Sequence, residues 1–346
     1  MKYYAGIDVS LESASVCITD ASGKIIREGQ VTSDPDAIVR WFQAFDHALE
    51  RVGLEAGPLS QWLFAGMSQA GLACELIETR HVRTAFKIMP VKTDKKDARG
   101  IAQLMRLGWY RPVHCKSLPS QEVRALLTAR KLLQSKLHDI EMSLRGILRG
   151  FGLKVGSVPR SGFKSRILEL CEGHETLLLI VGSLLTCRSV LLDEFRKLDR
   201  KAIAMARSEA RARQLMSIPG VGALTSLTFV AAIDQVDRFC SSRRVGAHFG
   251  LTPRKYQSGE TDYSGRISKC GDATVRTALF EAANVMMMRS AKANDLKMWA
   301  CALAKRAGMK KAKVALARKL AVVMHAMLRD GATFIAKKEI SVPVTI

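Results

Sequence analysis

Acidic residues are scarce in this chain, and so are the marks of membrane, secreted and zinc-bound proteins. Among 346 residues, 32 are Asp or Glu and 54 are Lys or Arg, a formal net charge of +22. That excess predicts a polyanionic partner, because basic side chains gain affinity by releasing counterions from phosphates. Nucleic acid is one such partner, and an anionic membrane surface is its competitor. No apolar stretch reaches transmembrane length, and a run such as Leu177 to Val181 falls far short of the ~20 residues a spanning helix needs. The opening Met1-Lys2-Tyr3-Tyr4 passes straight into a strand pattern, without the apolar segment and cleavage site of a signal peptide. There is no C-x-x-C pair. The cysteines stand apart at Cys17, Cys74, Cys115, Cys171, Cys187, Cys240, Cys270 and Cys301, which argues against a zinc site and fits a reducing cytoplasm. Internal repeats and low-complexity segments are also missing.

The length suggests two or three domains, and 48% hydrophobic residues can support folded cores. Charge is unevenly placed. Residues 1–90 hold 8 basic and 11 acidic residues, whereas residues 91–346 hold 46 and 21. The electrostatic grip therefore belongs to the later part, while the first part is acidic enough to hold cations.

Residues 2–9, 13–19 and 24–31 read as three strands, with a hairpin turn at Ala21-Ser22-Gly23-Lys24. Helical spacing follows over 34–49, then a short strand Arg51–Glu55 that ends at the break Ala56-Gly57-Pro58. A helix is predicted over 59–79, a strand over 84–89, and a helix from Thr93 to Leu107. This order implies a mixed α/β sheet flanked by helices. Residues 120–153 and 166–213 carry apolar residues at spacings of 3 and 4, the seam of a coiled coil, joined by a Gly-, Pro- and Ser-bearing loop at 154–165. Residues 214–233 read as helix–turn–helix around Ile218-Pro219-Gly220-Val221-Gly222. Residues 237–275 read as short helices and loops, and helices resume over 274–289 and 292–335. The expected organisation is an acidic α/β domain (1–115), a coiled-coil region (116–213), a mainly helical domain (214–335) and a tail (336–346).

Four carboxylates stand out. Asp8 ends the first strand, Glu55 ends the later short strand, and Asp94 and Asp97 share one face at a helix start. If they converge, they offer the oxygen ligands that Mg²⁺ demands, and two such ions can assist both the attacking and the leaving oxygen at phosphorus. Asp94 and Asp97 also have a plainer reading as helix-start acids that complement the dipole. Asp8 resists the plain reading, since it follows Ala5-Gly6-Ile7 in an apolar strand.

Ser258 precedes Gly259 in a basic stretch with Arg254, Lys255, Arg266, Lys269, Arg276 and, further off, Arg244. Arginines there would clamp phosphate and stabilise transition-state charge around an activated serine. The alternative is a basic DNA-contacting loop whose serine only bonds phosphate, with Ser241, Ser242, Ser264 and Ser268 as rivals. Gly220 and Gly222 resemble a helix–hairpin–helix turn, where backbone N–H groups approach phosphate, or else a plain helix cap. Lys305, Arg306, Lys310, Lys311, Lys313, Arg318 and Lys319 form a basic run in a helical stretch, read as phosphate contacts or as a solvated face.

Together these blocks resemble the DEDD transposases of the insertion-sequence 110 type and the related pilin-gene invertases. The resemblance rests on Gly6-Ile7-Asp8-Val9-Ser10, Gly53-Leu54-Glu55-Ala56-Gly57-Pro58 and Lys92-Thr93-Asp94-Lys95-Lys96-Asp97-Ala98-Arg99. It continues through Ser217–Gly222 and Phe249-Gly250-Leu251-Thr252-Pro253-Arg254 to Gln257-Ser258-Gly259. It spans about residues 3–330. It implies a RuvC-like (ribonuclease-H-like) N-terminal domain whose tetrad Asp8, Glu55, Asp94 and Asp97 holds Mg²⁺, with two ions expected. The two long helices joined by a loop would pack as an antiparallel coiled coil, or pair with another subunit, and the resemblance implies that this central region mediates assembly into homodimers or homotetramers with composite active sites. It further implies a C-terminal transposase domain in which Ser258 forms a covalent link to DNA before the strand is rejoined. Some members of the family use an element-encoded structured RNA to choose DNA ends and target. The expected partners are thus DNA and a guide RNA, with no membrane. Two rival readings stay open: a Holliday-junction-type nuclease that hydrolyses with metal-activated water, and a non-catalytic nucleic-acid-binding protein.

Overall fold

Three antiparallel strands open the chain because short turns return it each time. The structure, a computed structural model, describes residues 1–80, 82, 93–289 and 294–335. The chain divides into two units, Met1–Lys116 and Ser117–Ile346.

In the first unit, β1 (Tyr3–Val9), β2 (Ser13–Asp20) and β3 (Ile25–Thr32) form the antiparallel part of a five-stranded sheet. The strands β4 (Leu49–Glu55) and β5 (Cys74–Ile77) add parallel to β1, in the order β3-β2-β1-β4-β5. Period-two alternation sorts the side chains between two faces. One face carries Ala5, Ile7, Val16, Ile18, Val52 and Leu54, which pack with residues of α1 (Pro35–Gln43) and α2 (Ser60–Gln69) in one core. The helix α1 starts where Asp34 accepts from the backbone N–H of Asp36 and Ala37, with Pro35 fixing the first turn. The opposite face is covered by α3 (Asp94–Leu107), which begins at a Thr93 cap and ends at left-handed Gly108.

The helix expected over 59–79 is shorter. Helix α2 stops at Gln69, Gly71 turns at φ +83°, and Cys74–Ile77 becomes β5. Leu76 and Ile77, within the expected helix, are instead the apolar residues of a strand paired with β4. The strand expected over 84–89 and the tail 336–346 lie outside the described residues.

In the second unit, α4 (Leu118–Gly150) and α6 (Glu175–Ser208) run antiparallel: Arg130 bonds Asp199 at one level and Arg188 bonds Glu141 at another. Leu144, Leu148, Val181 and Leu185 fill the seam with Phe163 and Ile167 of α5 (Phe163–Leu170). The expectation that no segment has transmembrane length and composition needs correcting. The first part of α6 meets both criteria, because Gly182, Ser183, Thr186 and Cys187 interrupt the apolar run without adding charge. Leu177, Val181 and Leu185 are nonetheless buried in that seam.

A second core gathers around α8 (Ala223–Ile233), which follows the short α7 (Ala210–Leu215) and is buried from Ser226 to Ile233. A 3₁₀ turn (Ser242–Arg244), α9 (Val245–His248), α10 (Ala273–Met288), α11 (Asp295–Ala307) and α12 (Met309–Asp330) complete it. Residues 237–275 are not only short helices and loops. They contain a β-hairpin, β6 (Pro253–Ser258) and β7 (Thr261–Ile267). Its strands are exposed along almost their whole length, so no apolar alternation marks them in the sequence.

Candidate functional site

The acidic site begins with strand register. Ile7 pairs with Leu54 on parallel neighbours, so Asp8 and Glu55 are the next residues at adjacent strand ends. Alternation turns both toward the face of Gly6 and Gly53, the face that α3 covers. The helix comes close because those positions lack side chains. A methyl group on Gly6 would lie 2.3 Å from the Ala98 carbonyl oxygen and the Ala102 nitrogen, and one on Gly53 would strike Met105 and Ile101. Both Asp94 and Asp97 lie in the first turn of α3, where Asp97 is buried and Asp94 is exposed. Asp8 and Glu55 are half-buried.

Arg99 fastens this end of α3 to the sheet. Its guanidinium grips both carboxylate oxygens of Glu28 on β3, with Nη2 at 2.7 Å from Oε2. The bond from Arg99 holds Glu28 below the usual carboxylate range, against the effect of its burial. Beneath the helix, burial first and Glu28 second push the Cys17 thiol up to about 12, so it packs with Ala98 and Ala102 as an inert apolar group. Ser15, buried and paired with Asp8, shares the acidic face. Sequence reasoning missed Arg99 and Ser15 as supports, although the alternation of β2 marks Ser15.

Among the described residues, no three His, Cys, Asp or Glu side chains gather into a ready metal cage. The register does bring Asp8 and Glu55 together, with α3 carrying Asp97 over their face. Mg²⁺ keeps several waters and commonly takes only one or two carboxylates. An all-oxygen donor set of this kind fits a hard divalent cation.

Ser258 lies at the tip of the hairpin, paired with Thr261 across the two-residue loop Gly259-Glu260. Gly259 has φ +55°, the left-handed region that the first loop position of a type II′ turn requires. Ser258 is exposed, as is every residue of β6. Stacked Tyr256 and Tyr263 (5.4 Å) and the Lys255–Asp262 pair (3.2 Å) hold the strands together. The base is rigid by contrast. Gly250 and Gly271, both left-handed, let backbone touch backbone at Cys270 and His248. Arg276 donates to the carbonyls of Phe249, Cys270 and Gly271, so it fixes the base of the arm. Arg254 donates to the Ser268 carbonyl at 3.3 Å.

Gly220, at φ +89°, faces the backbone of α10, where a methyl group would come within 2.7 Å of the Ala282 carbonyl oxygen. Gly222 is exposed at the N-cap of α8, with open space where a side chain would stand. Arg266, Lys269, Lys310 and Lys311 all border one cleft between the hairpin base and α12.

Two transposase families match separate stretches of the chain. A transposase family of the DEDD, IS110 type matches residues 5–152. The Transposase IS116/IS110/IS902 family matches residues 212–297. The first range contains Asp8, Glu55, Asp94 and Asp97, and the second contains Gly220, Gly222 and Ser258. The chain belongs to this IS110/IS116 family of transposases. It is 30% identical over 343 residues to the transposase for insertion sequence element IS1111A of Coxiella burnetii, covering 95% of this chain and 90% of that protein. It is 26% identical over 288 residues to the transposase for insertion sequence element IS1328 of Yersinia enterocolitica, covering 82% and 85%. Among solved structures, Thermus thermophilus RuvC in complex with a Holliday junction substrate is similar at 15% identity and a TM-score of 0.26, over 33% of this chain and all of that one.

Proposed function

We propose that this transposase cleaves and rejoins DNA strands of an insertion element through a covalent link between Ser258 and a DNA phosphate. In this reading Asp8, Glu55, Asp94 and Asp97 hold Mg²⁺, expected as two ions, in a RuvC-like domain. The observation that carries it is the shared face of Asp8 and Glu55 under a glycine-seated helix bearing Asp97, in a chain of this family.

The bound metal would lower the barrier at phosphorus by stabilising charge on its oxygens. Asp8 and Glu55, on strand ends, fix the direction of approach, because neighbouring strands cannot slide without breaking their ladder. Ser258 supplies the attacking oxygen: its Oγ–P bond forms as the bond from phosphorus to the departing strand breaks. The covalent link conserves the energy of the broken bond, so rejoining needs no nucleotide triphosphate. Arg254, Lys255, Arg266, Lys269, Lys310 and Lys311 contact phosphates, with the exposed N–H groups near Gly222 as a further contact. Gly220 supports that turn through its seat on α10, and Arg276 acts through the hairpin base that it fixes.

Assembly into a homodimer or homotetramer through residues 116–213 belongs to the same reading. Exposed Leu132, Leu179 and Val190 on the two long helices offer apolar surface that a second copy would cover. A structured RNA encoded by the element is the partner proposed to choose the DNA ends and target.

The test combines purified protein, Mg²⁺, labelled element ends and candidate guide RNA, with denaturing gels to find protein–DNA adducts. The native chain is expected to form an adduct that Ser258→Ala does not. An adduct in Ser258→Ala would sink the serine role. Free cleaved ends without adducts would favour a hydrolytic junction nuclease. Salt-sensitive binding without strand breaks under any divalent metal would favour a non-catalytic protein.

A further inference from the structure

One cleft of the second unit has a composition that contact with duplex phosphates does not explain. It measures about 1150 Å³ and lies between the base of the hairpin and α12. Its floor is apolar, made by Leu251, Ile267, Val314, Val322 and the half-exposed ring of Trp299. Its rim carries Arg266, Lys269, Lys310, Lys311, Arg318 and Lys319. None of these six forms an ion pair among the described residues, and no Asp, Glu, Asn or Gln lines the cleft there. Lys319 rests its ammonium 4.2 Å from the centre of the Trp299 ring, so charge and aromatic surface meet at one place.

Such a site asks for a ligand with negative charge at its edge and flat apolar surface at its centre. Duplex DNA offers the charge but keeps its base faces stacked inside. An unpaired strand offers both, and single-strand sites generally combine a cationic groove with surfaces on which bases rest. The volume exceeds the ~300–1,000 Å³ of common small-ligand sites, which leaves room for more than one base. The lining lacks the amide and carboxylate side chains that pair with adenine and cytosine edges, and its Arg and Lys side chains serve phosphate as readily as a base.

We infer that this cleft holds a short unpaired segment of DNA beside the strand that Ser258 attacks. The inference rests on the proposed DNA strand exchange for its substrate, but not on the chemistry of the serine. Exchange requires strands to leave one duplex and enter another, so unpaired DNA must wait near the break. The hairpin joins the two places, with its base forming a wall of the cleft and Ser258 at its tip. Five residue steps lead from Pro253 to Ser258, ~17 Å at the rise of a strand.

The test uses the full chain and fluorescence anisotropy, with a labelled unpaired DNA oligonucleotide, the same sequence as duplex, and the same sequence as RNA. Lys310→Glu combined with Lys311→Glu reverses charge at exposed rim positions and should weaken binding of unpaired DNA about tenfold or more. Ala315→Trp fills the floor and should weaken unpaired DNA about threefold or more, while duplex binding changes less than about twofold. Val314→Glu, which sets a carboxylate on the same floor, should repeat that selectivity and guards against misfolding of the tryptophan variant. Equal losses for unpaired and duplex DNA in the two floor variants, or no loss of unpaired-DNA binding in any variant, would overturn the inference. So would binding confined to RNA, or capture of phosphatidylglycerol vesicles in place of DNA. Ser258→Ala should bind unpaired DNA normally. An adduct that persists in Ser258→Ala would then defeat the catalytic reading and leave this one standing.

Discussion

The acidic face of the first unit and the serine hairpin of the second solve opposite problems. Around Asp8 the backbone is crowded: a helix is pressed onto a sheet at two glycines, Arg99 clamps Glu28, and the neighbouring cysteine is inert. Around Ser258 almost nothing is buried, and two stacked tyrosines with one exposed ion pair hold the strands. Carboxylates that hold a cation, the role proposed for these, must be kept at fixed separation against their own repulsion, which calls for packing. The proposed nucleophile needs access to a strand of DNA, and rigidity is supplied only at the base of the hairpin, through Gly250, Gly271 and Arg276.

If this contrast is right, the largest effect falls on catalysis from the acidic face. Asp8→Asn keeps the shape of the side chain and should slow strand cutting by about 10²–10³-fold, the scale of deleting one charge-stabilising group. Thermal unfolding should stay close to native. A rate near native would remove Asp8 from the site. Next comes Gly6→Ala, which removes no acid. The added methyl must push α3 from the sheet, so urea unfolding should show a loss of about 1–3 kcal/mol or more, with weaker divalent-metal dependence of cutting. The matching change on the arm, Gly259→Ala, meets open space but a left-handed backbone, and its cost of about 1–2 kcal/mol should loosen the exposed hairpin while urea unfolding of the chain stays near native. Equal costs at the two glycines would erase the contrast.

Smaller still is Tyr256→Ala. It removes a stacked pair of the kind worth about 0.5–1.5 kcal/mol, and should speed proteolysis within 253–267 without moving the global transition. The least effect concerns pH. His325 is buried, with Nε2–H donating to the Val236 carbonyl and Nδ1 accepting from Ser242. Burial foremost lowers its pKa below the ordinary 6.5, so the unfolded chain binds a proton more readily than the folded one. Its contribution is therefore complete above pH 6.5 and declines as the pH falls through 6.5 toward the folded value. His325→Gln should flatten that part of the stability profile in denaturant titrations, and an unchanged profile would exclude His325 as its source.

The acidic face was the more legible region. Strands β1 to β4 and helix α3 follow from alternation, the Thr93 cap and Gly108, and Asp8 stood out as an acid ending an apolar strand. What the sequence hid was the close approach, since nothing local says that Gly6 and Gly53 will face the same helix. Strand β5 is four residues long and was absorbed into the preceding helical spacing. The hairpin was hidden for another reason. Exposed on both faces, it lacks the apolar period that betrays a half-buried strand, although Ser258-Gly259-Glu260-Thr261 between tyrosine-bearing segments carried the turn signal. Basic residues flagged along α12 were visible, but the apolar floor beside them depends on Trp299 and the hairpin base, distant in sequence.

The hairpin has a practical consequence for anyone handling the protein. Among the described residues its two strands pair only with each other, which leaves a bare row of peptide N–H and C=O groups along each outer edge. Such edges invite stacking between molecules and eventual precipitation, and the charges of Arg254, Lys255, Glu260, Asp262 and Arg266 are what discourage it. Stripping those charges to alanine in search of DNA contacts would yield insoluble material that looks like lost function, so reversing their sign is the safer probe.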